Sequence, residues 1–477
     1  MRRAKIVATL GPALDDPARL RAALAAGIDV VRLNFSHGTK EEHRRRLEVV
    51  RGIADELGQP VSCLGDLQGP KIRLGVLPEG GVTLADGGQV TLHAGVDELS
   101  SYGDGGVPQL PVVYEHLAKD LEPGALVLID DGLLRFVVSG IDGDRVHARV
   151  VAGGVATSRK GVNMPGVEVS AQSLTDKDRR DVETMVEIGV DWIALSFVRR
   201  PQDVVGVRSM VHAFGGEQPI ISKLERPEAV DNLESITRVS DAVMVARGDL
   251  GVEVGPERVP AIQKEMIDLA NRYAKPVITA TEMLDSMVRN SRPTRAEASD
   301  VANAIFDGTD AVMLSAETAS GRYPVEAVRT MARIIEVAES APGRVQPLAP
   351  DTRNSTGAVV AKASVQVADD VDARAILVFS FSGRSIQLVS KFRPKQPVIG
   401  FTSELATLQR LPLMWGVAGM QVAEKDQSNA LIAAADVVCM QEGYGQRGDV
   451  VVIVSGIPGG HGGTNRVMVH RLGEVPT

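Results

Sequence analysis

The sequence contains few cysteines and few aromatic residues, and each shortage excludes a class of protein. Only Cys63 and Cys439 are present, far apart and in no CxxC motif. This excludes a disulfide framework and a thiolate zinc site, and it is typical of a reducing cytosol. Aromatic residues make up 3% of the chain, which leaves few platforms on which single-stranded nucleic acid could stack.

Long apolar runs and strongly charged tails are also missing. The apolar stretch at residues 6–10 stops at Gly11-Pro12 and is too short for a signal segment. No uninterrupted apolar run is long enough to cross a bilayer. With 61 acidic against 52 basic residues the chain is mildly acidic. We therefore expect a cytoplasmic protein that binds neither nucleic acid nor a membrane.

What the sequence does contain is a series of short apolar runs, most of them followed by a helical pattern. Runs that are apolar on both faces are typical of buried parallel strands. Helical patterns lie between them, for example at residues 17–26, 40–57, 175–188 and 259–273. Eight strand–helix units predict a (β/α)₈ barrel. The runs are residues 5–10, 30–35, 61–66, 192–197, 219–225, 242–248, 276–283 and 311–317.

Two further domains are predicted around this barrel, because 477 residues are too many for a single core. A Gly-rich interval of alternating short strands interrupts the third unit and reads as a small all-β lid. After a proline-rich linker at residues 340–350, strands and helices alternate again and predict an α/β domain. The predicted boundaries are 1–69 and 172–342 for the barrel, 70–171 for the lid and 343–477 for the last domain.

Polar residues gather where the apolar runs end, which is where a barrel carries its catalytic groups. Any one of them alone is readily explained as a salt-bridge partner or a helix cap. Together they are not, because buried charges cost free energy unless they are paired or bind a metal. The residues are Arg32, Asn34, Ser36, Asp66, Lys223, Glu225, Arg247, Asp249, Thr279, Thr281, Ser315 and Glu317.

This set favours phosphoryl transfer. Glu225 and Asp249 would supply the one or two carboxylates that Mg²⁺ prefers, with Mn²⁺ as an alternative ion. Lys223 and Arg32 would neutralise charge on phosphoryl oxygens. The chain contains neither a GxxxxGK[ST] motif nor the protein-kinase signatures, so a P-loop does not hold the nucleotide.

Several strings in the chain resemble the pyruvate kinase family, and the resemblance extends from end to end. The strings MVARGDLG and RPTRAE are highly specific, whereas SGRS near the end is weak alone. The similar segments are residues 5–12 (KIVATLGP), 31–38 (VRLNFSHG), 221–225 (ISKLE), 244–253 (MVARGDLGVE), 291–300 (SRPTRAEASD) and 313–318 (MLSAET).

The resemblance implies a role for each barrel-end residue. Lys223 would stabilise the phosphoryl group in flight and Arg32 would hold the phosphate of phosphoenolpyruvate. Glu225 and Asp249 would bind the metal. Gly248 would let the backbone approach the substrate carboxylate closely. Thr281 matches the hydroxyl that helps to protonate the enolate, through a water relay because a hydroxyl is a weak acid.

The resemblance also implies nucleotide and effector sites. Arg73, His37 and Lys160 match residues near the nucleotide phosphates of ADP and ATP, under a lid that closes to exclude water. A loop before a helix in the last domain would bind a phosphorylated metabolite at the helix N-terminus, and helix capping by Ser382 is the simpler alternative. A homotetramer is implied as well. The effector residues are Ser380, Ser382, Gly383, Arg384 and Ser385.

One departure from the family pattern predicts that the enzyme needs no potassium. Many members bind a monovalent cation through oxygens that match Asn34, Ser36, Asp66 and the residue at position 67. Those members carry threonine where this chain has Leu67, and leucine offers no oxygen ligand. They carry glutamate where this chain has Lys71, whose ammonium would replace the charge of the ion.

Two other functions remain open from the residues alone. A metal-dependent barrel lyase of pyruvate-like enolates would also use a Glu and Asp pair, but it does not account for the lid or the last domain. A catalytically silent sensor of a phosphorylated metabolite would share the fold. The presence of Lys223, Glu225, Asp249 and Thr281 together argues against the silent sensor.

Overall fold

A computed structural model describes most of the chain. The described residues are 2–103, 106–170, 173–341, 348–353, 355–422, 428–456 and 463–474. Part of the predicted linker at residues 340–350 therefore lies outside them. The three predicted domain boundaries stay a prediction, although the sheets described below lie within them.

Eight parallel strands close into a barrel, so the predicted fold class is confirmed. Nearly every residue of these strands is buried, which explains why the runs are apolar on both faces. Most strands end earlier than the predicted runs, since the chain turns away as soon as it leaves the barrel. In chain order the strands are Lys5–Thr9, Val30–Asn34, Ser62–Asp66, Trp192–Leu195, Ile220–Leu224, Ala242–Ala246, Val277–Ala280 and Ala311–Leu314.

Helices surround the barrel and pack their apolar faces on its outer surface. Three of them begin with a capping box, in which Thr39, Thr175 and Thr294 each exchange hydrogen bonds with the acid three residues later. The α-helices are Pro17–Ala25, Lys40–Leu57, Asp176–Ile188, Pro201–Ala213, Pro227–Asp231, Leu233–Val239, Arg247–Val254, Val259–Arg272, Arg295–Asp307, Ala316–Ala319 and Pro324–Ser340; 3₁₀-helices span Pro12–Leu14 and Asp285–Val288.

The insert between the third and fourth barrel strands is an all-β unit with its own apolar core. Three of its strands were not predicted: Gln109–Val112, Gly154–Ala156 and Val162–Asn163. The six-stranded sheet runs in the order Val162–Asn163, Leu126–Ile129, Leu134–Asp142, Arg145–Ala152, Gln89–Ala94 and Gln109–Val112. Val82–Leu84 pairs with Gly154–Ala156, and a short helix spans Leu117–Asp120.

The last domain is a five-stranded sheet with helices, as predicted. The sheet runs Val417–Gln421, Val398–Thr402, Ile376–Phe379, Val450–Ser455 and Arg466–Arg471, and only the last strand pairs antiparallel. The helices are Thr356–Asp370, Arg384–Lys391, Leu405–Arg410 and Ser428–Gln441, with a 3₁₀-helix at Leu411–Leu413.

A buried ion cluster joins this domain to the barrel. Lys391 Nζ lies 2.5 Å from one carboxylate oxygen of Asp310, and Arg393 lies 3.0 Å from the other. Asp310 directly precedes the eighth barrel strand, so the contact is at the N-terminal end of the barrel. The insert lies at the opposite, C-terminal end of the barrel. Within the described part of the chain, no helix is both long and apolar enough to span a bilayer.

Candidate active site

Charged side chains from four of the eight strand–loop units meet at the C-terminal end of the barrel. Their centre is Asp66, at the end of the third strand and 1% exposed. Arg32 Nε donates a hydrogen bond of 2.6 Å to Asp66 Oδ2, and Lys223 Nζ lies 3.4 Å from Asp66 Oδ1. Arg32 also donates to Thr9 Oγ1 over 3.0 Å. Asp66 thus fixes both predicted phosphate-binding cations.

Lys223 has a second partner that the sequence reasoning missed. Its Nζ donates to Ser196 Oγ at 2.7 Å, and Ser196 Oγ donates to the main-chain oxygen of Leu67 at 2.6 Å. Ser196 follows the fourth barrel strand directly. Ser196 could therefore have been predicted as a site residue, because it is a polar residue at the end of a barrel strand.

The charge state of Lys223 follows from its neighbours. Burial acts to lower the pKa of Lys223, but the carboxylates of Asp66, Glu225 and Asp249 outweigh it and raise that pKa. Burial likewise acts to raise the pKa of Asp66, and the nearby cations Lys223 and Arg32 outweigh it and lower that pKa. The pair is therefore ionised at neutral pH.

Glu225 is a buried carboxylate with spare binding capacity. Its Oε1 accepts a hydrogen bond of 2.6 Å from Phe197 N, whereas its Oε2 is buried and has no hydrogen-bond partner among the described residues. Burial raises the pKa of Glu225 to about 7, with Asp249 adding to the rise and Lys223 opposing it. Such an oxygen is a strong candidate to bind a cation.

The loops after the sixth and seventh strands are joined by hydrogen bonds. Arg247, Gly248 and Asp249 directly follow the sixth strand, as predicted, and form the first turn of the helix Arg247–Val254. Gly248 N donates to Thr281 Oγ1 at 2.8 Å, and Thr281 Oγ1 donates to the oxygen of Ala280 at 2.7 Å. This places the Thr281 hydroxyl beside the helix N-terminus.

Two predicted barrel-end residues, Thr279 and Glu317, do not join this site. The chain leaves the extended strand conformation at Thr281, whose φ of 67° is a strained left-handed conformation for a β-branched residue. Thr279 is buried and donates to Thr309 Oγ1 at 3.0 Å instead. Glu317 bends back to accept from its own loop at Ser315 N, 2.7 Å away, and from Leu284 N.

A cavity of about 250 Å³ lies between the barrel end and the insert. The structure brings the predicted nucleotide residues Arg73 and Lys160 to its wall, together with Asp249 and Lys71. Lys160 pairs with Asp130 at 2.9 Å. His37 lies at the same end of the barrel but is exposed and does not line this cavity.

The residues of the predicted monovalent-cation region lie at the ends of the second and third strands. Asn34 Oδ1 accepts from Ser36 N at 3.1 Å, and Asp66 lies beside them at the end of the adjacent strand. Leu67 turns its side chain into the apolar layer around the barrel, where it is 1% exposed. Its main-chain oxygen accepts the hydrogen bond from Ser196 Oγ, and the expectation that its side chain supplies no oxygen ligand for potassium stays a prediction.

The predicted effector residues lie at the N-terminus of the helix Arg384–Lys391. Gly383, with a φ of 77°, is the residue before the helix, and no side chain of a described residue caps the helix. The alternative of helix capping by Ser382 is therefore wrong. Ser382 is exposed, and buried Ser385 bonds to Thr464. Ser380 ends the preceding strand region, and most of the loop at residues 456–463 lies outside the described residues.

Comparisons with known proteins find one family over the whole chain. The family model described as pyruvate kinase, barrel domain, matches residues 1–328, and the pyruvate kinase alpha/beta domain matches residues 358–470. Curated proteins named pyruvate kinase from Mycobacterium intracellulare and from Mycobacterium tuberculosis strain H37Rv are 45% and 44% identical. One from Agrobacterium vitis is 42% identical. Each alignment covers 99% of both chains.

Proposed function

The chain belongs to the pyruvate kinase family, and from this premise we propose how its own residues carry out the reaction. The enzyme transfers the phosphoryl group of phosphoenolpyruvate to ADP and so makes pyruvate and ATP. The lyase and silent-sensor alternatives find no support in the comparisons. The observation that carries the residue assignment is the buried ion cluster of Arg32, Asp66, Lys223 and Glu225.

Arg32 and Lys223 bind the phosphoryl group that moves. Both cations are nearly buried, with side chains 12% exposed, and Asp66 holds both. A cation fixed in a low-dielectric site stabilises developing charge without reorganising during the reaction. Lys223 is the better placed for the transition state because Ser196 and Glu225 fix it from two further sides.

Glu225 and Asp249 hold a divalent cation, Mg²⁺ or Mn²⁺. Glu225 Oε2 accepts no hydrogen bond among the described residues and lies 3.5 Å from Lys223 Nζ, so it can still bind such an ion. No group of three acidic, His or Cys ligands forms among the described residues, which suits an ion that takes its remaining ligands from substrate and water. The bound ion would neutralise charge on the substrate carboxylate and phosphate.

Thr281 and Gly248 act on the enolate side of the substrate. Gly248 leaves the backbone of the first helical turn open to a carboxylate. The hydroxyl of Thr281 donates to the Ala280 oxygen, so its proton is engaged. A water molecule bound by Thr281 is therefore the group we propose to deliver the proton to the enolate.

Arg73 and Lys160 bind the nucleotide phosphates, with His37 at the outer edge. Arg73 Nη1 donates to the Arg159 oxygen at 2.8 Å. Lys160 is paired with Asp130, so nucleotide phosphates compete with that carboxylate. Closure of the insert over this cavity excludes water from the phosphoryl group in flight.

The phosphorylated-metabolite effector would bind before the helix Arg384–Lys391, at Ser380, Ser382, Gly383, Arg384 and Ser385. The uncapped N-terminus supports this proposal because its free N–H groups favour an anion. A homotetramer and a cytoplasmic location also stay predictions. Sedimentation and fractionation of the native protein would test them.

We expect Lys223→Met to abolish phosphoryl transfer while the fold survives. Methionine keeps the volume and removes the charge that offsets the phosphoryl oxygens, so turnover should fall at least about a hundredfold. A coupled lactate dehydrogenase assay measures this, and circular dichroism checks the fold. The control is Lys264→Met, whose lysine is exposed on a barrel helix and pairs with Asp307.

A second measurement distinguishes the loss of phosphoryl transfer in Lys223→Met from the loss of the whole active site. Exchange of the methyl protons of pyruvate should survive in Lys223→Met, since that step depends on the metal more than on the lysine. A Lys223→Met enzyme that keeps a tenth of wild-type turnover would show that another group stabilises the phosphoryl transfer.

We expect the enzyme to work without potassium. Lys71 is exposed at the cavity wall, and its ammonium forms no ion pair with any residue in the described ranges. Initial rates in potassium-containing and potassium-free buffers of equal ionic strength should therefore agree within about twofold. Leu67→Thr together with Lys71→Glu should create potassium dependence, because threonine supplies an oxygen ligand and glutamate plus the ion restores the lost charge.

The control for this double change is Leu67→Thr with Lys119→Glu, which makes the same charge change at an exposed position of the insert. It should leave the enzyme indifferent to potassium. Strong stimulation of the wild-type enzyme by potassium would refute the assignment to Lys71.

We expect Ser382→Glu to abolish activation and leave basal activity within about twofold of wild type. The new carboxylate would repel a phosphate at the helix N-terminus, far from the barrel end. Titration of sugar phosphates and nucleoside monophosphates into the assay measures this, with exposed Ser209→Glu as control. If an activator of the wild type acts equally on Ser382→Glu, the effector site lies elsewhere.

A further inference from the structure

The turn after the second barrel strand, residues 34–38, is fixed from outside by side chains of two helices. Lys177 Nζ, on the helix Asp176–Ile188, donates to the Phe35 oxygen at 2.5 Å. His43 Nε2, on the helix Lys40–Leu57, lies 2.9 Å from the His37 oxygen. The turn carries the exposed side chain of His37. The backbone conformation of the turn therefore sets the orientation of that side chain.

His43 is packed closely into this turn. It is 2% exposed, and its ring stacks on Phe35 with centroids 4.1 Å apart and planes at 19°. Gly38 has a φ of 84°, and a Cβ there would lie 3.4 Å from the His43 ring. A glycine therefore allows the chain to turn this tightly over the imidazole.

The hydrogen bond defines the protonation of His43. A main-chain carbonyl can only accept, so Nε2 carries the proton and Nδ1 does not. Nδ1 is buried without a hydrogen-bond partner among the described residues. Burial lowers the pKa of His43, and Arg46 and Lys177 act in the same direction, whereas the His37 carbonyl and Glu42 oppose it. His43 is thus a neutral, fixed donor.

We propose that His43 is a positioning residue for the nucleotide, which holds the His37 carbonyl and so directs the His37 side chain towards the phosphates of ADP. This inference rests on the proposed nucleotide role of His37. Substitution of His43 should not change the KM for phosphoenolpyruvate, because Asp66 and Thr9 hold Arg32 independently of His43. A substitution of His43 should therefore change the KM for ADP and leave the KM for phosphoenolpyruvate unchanged.

Two substitutions distinguish the hydrogen bond from the packing. His43→Phe keeps a stacked ring and removes the donor, whereas His43→Gln removes the ring and places an amide donor at a similar reach. We expect His43→Phe to raise the KM for ADP about three- to tenfold, the effect of one lost hydrogen bond. The KM for phosphoenolpyruvate should stay within about twofold, and His43→Gln should recover most of the loss.

The same measurements in a His37→Ala background test whether His43 acts through His37. His37→Ala should raise the KM for ADP, and adding His43→Phe should then change it by less than about twofold. Equal rises in both KM values for His43→Phe, or a wild-type KM for ADP, would overturn the inference alone. A His37→Ala enzyme with a normal KM for ADP would refute the nucleotide role of His37, and the inference with it.

Discussion

The active site depends on one buried carboxylate, that of Asp66. It lies between Arg32 and Lys223 at the end of the third barrel strand and is 1% exposed. Without it, Arg32 would lose its ion pair and Lys223 would depend on Glu225, at a cost of several kcal/mol for a buried cation left uncompensated. With it, the cations stay charged and point towards the barrel mouth. The substrate phosphate therefore meets a site whose charges are already in place.

The rest of the molecule keeps this cluster intact and accessible. The barrel provides four neighbouring strand ends, and the insert covers the cavity beside them. The last domain attaches at the opposite end through Asp310 and Lys391, so this contact does not block the site. Outer side chains such as His43 and Lys177 hold the turns between strands and helices. These outer contacts thus hold in place the turns next to the buried cluster.

The sequence predicts the regular parts of this structure well and its turns poorly. Apolar runs located all eight barrel strands, because burial on both faces leaves a local pattern. The prediction that strand-end polar residues share one site failed at Thr279, which bonds to Thr309, and at Glu317, which turns back to the amides of Ser315 and Leu284. Those directions depend on the neighbouring loops, and a local pattern carries no record of them. His43 was missed for the same reason, since its partner His37 belongs to a turn.

The most direct test of the account is the binding of Mn²⁺, followed by electron paramagnetic resonance, in the presence of phosphoenolpyruvate. The central claim is that Glu225 Oε2, which accepts no hydrogen bond among the described residues, makes the buried cluster a cation site. Glu225→Gln should weaken Mn²⁺ binding at least tenfold, about 1.4 kcal/mol, whereas exposed Glu257→Gln should leave it unchanged. Equal Mn²⁺ affinity in Glu225→Gln and wild type would contradict the account.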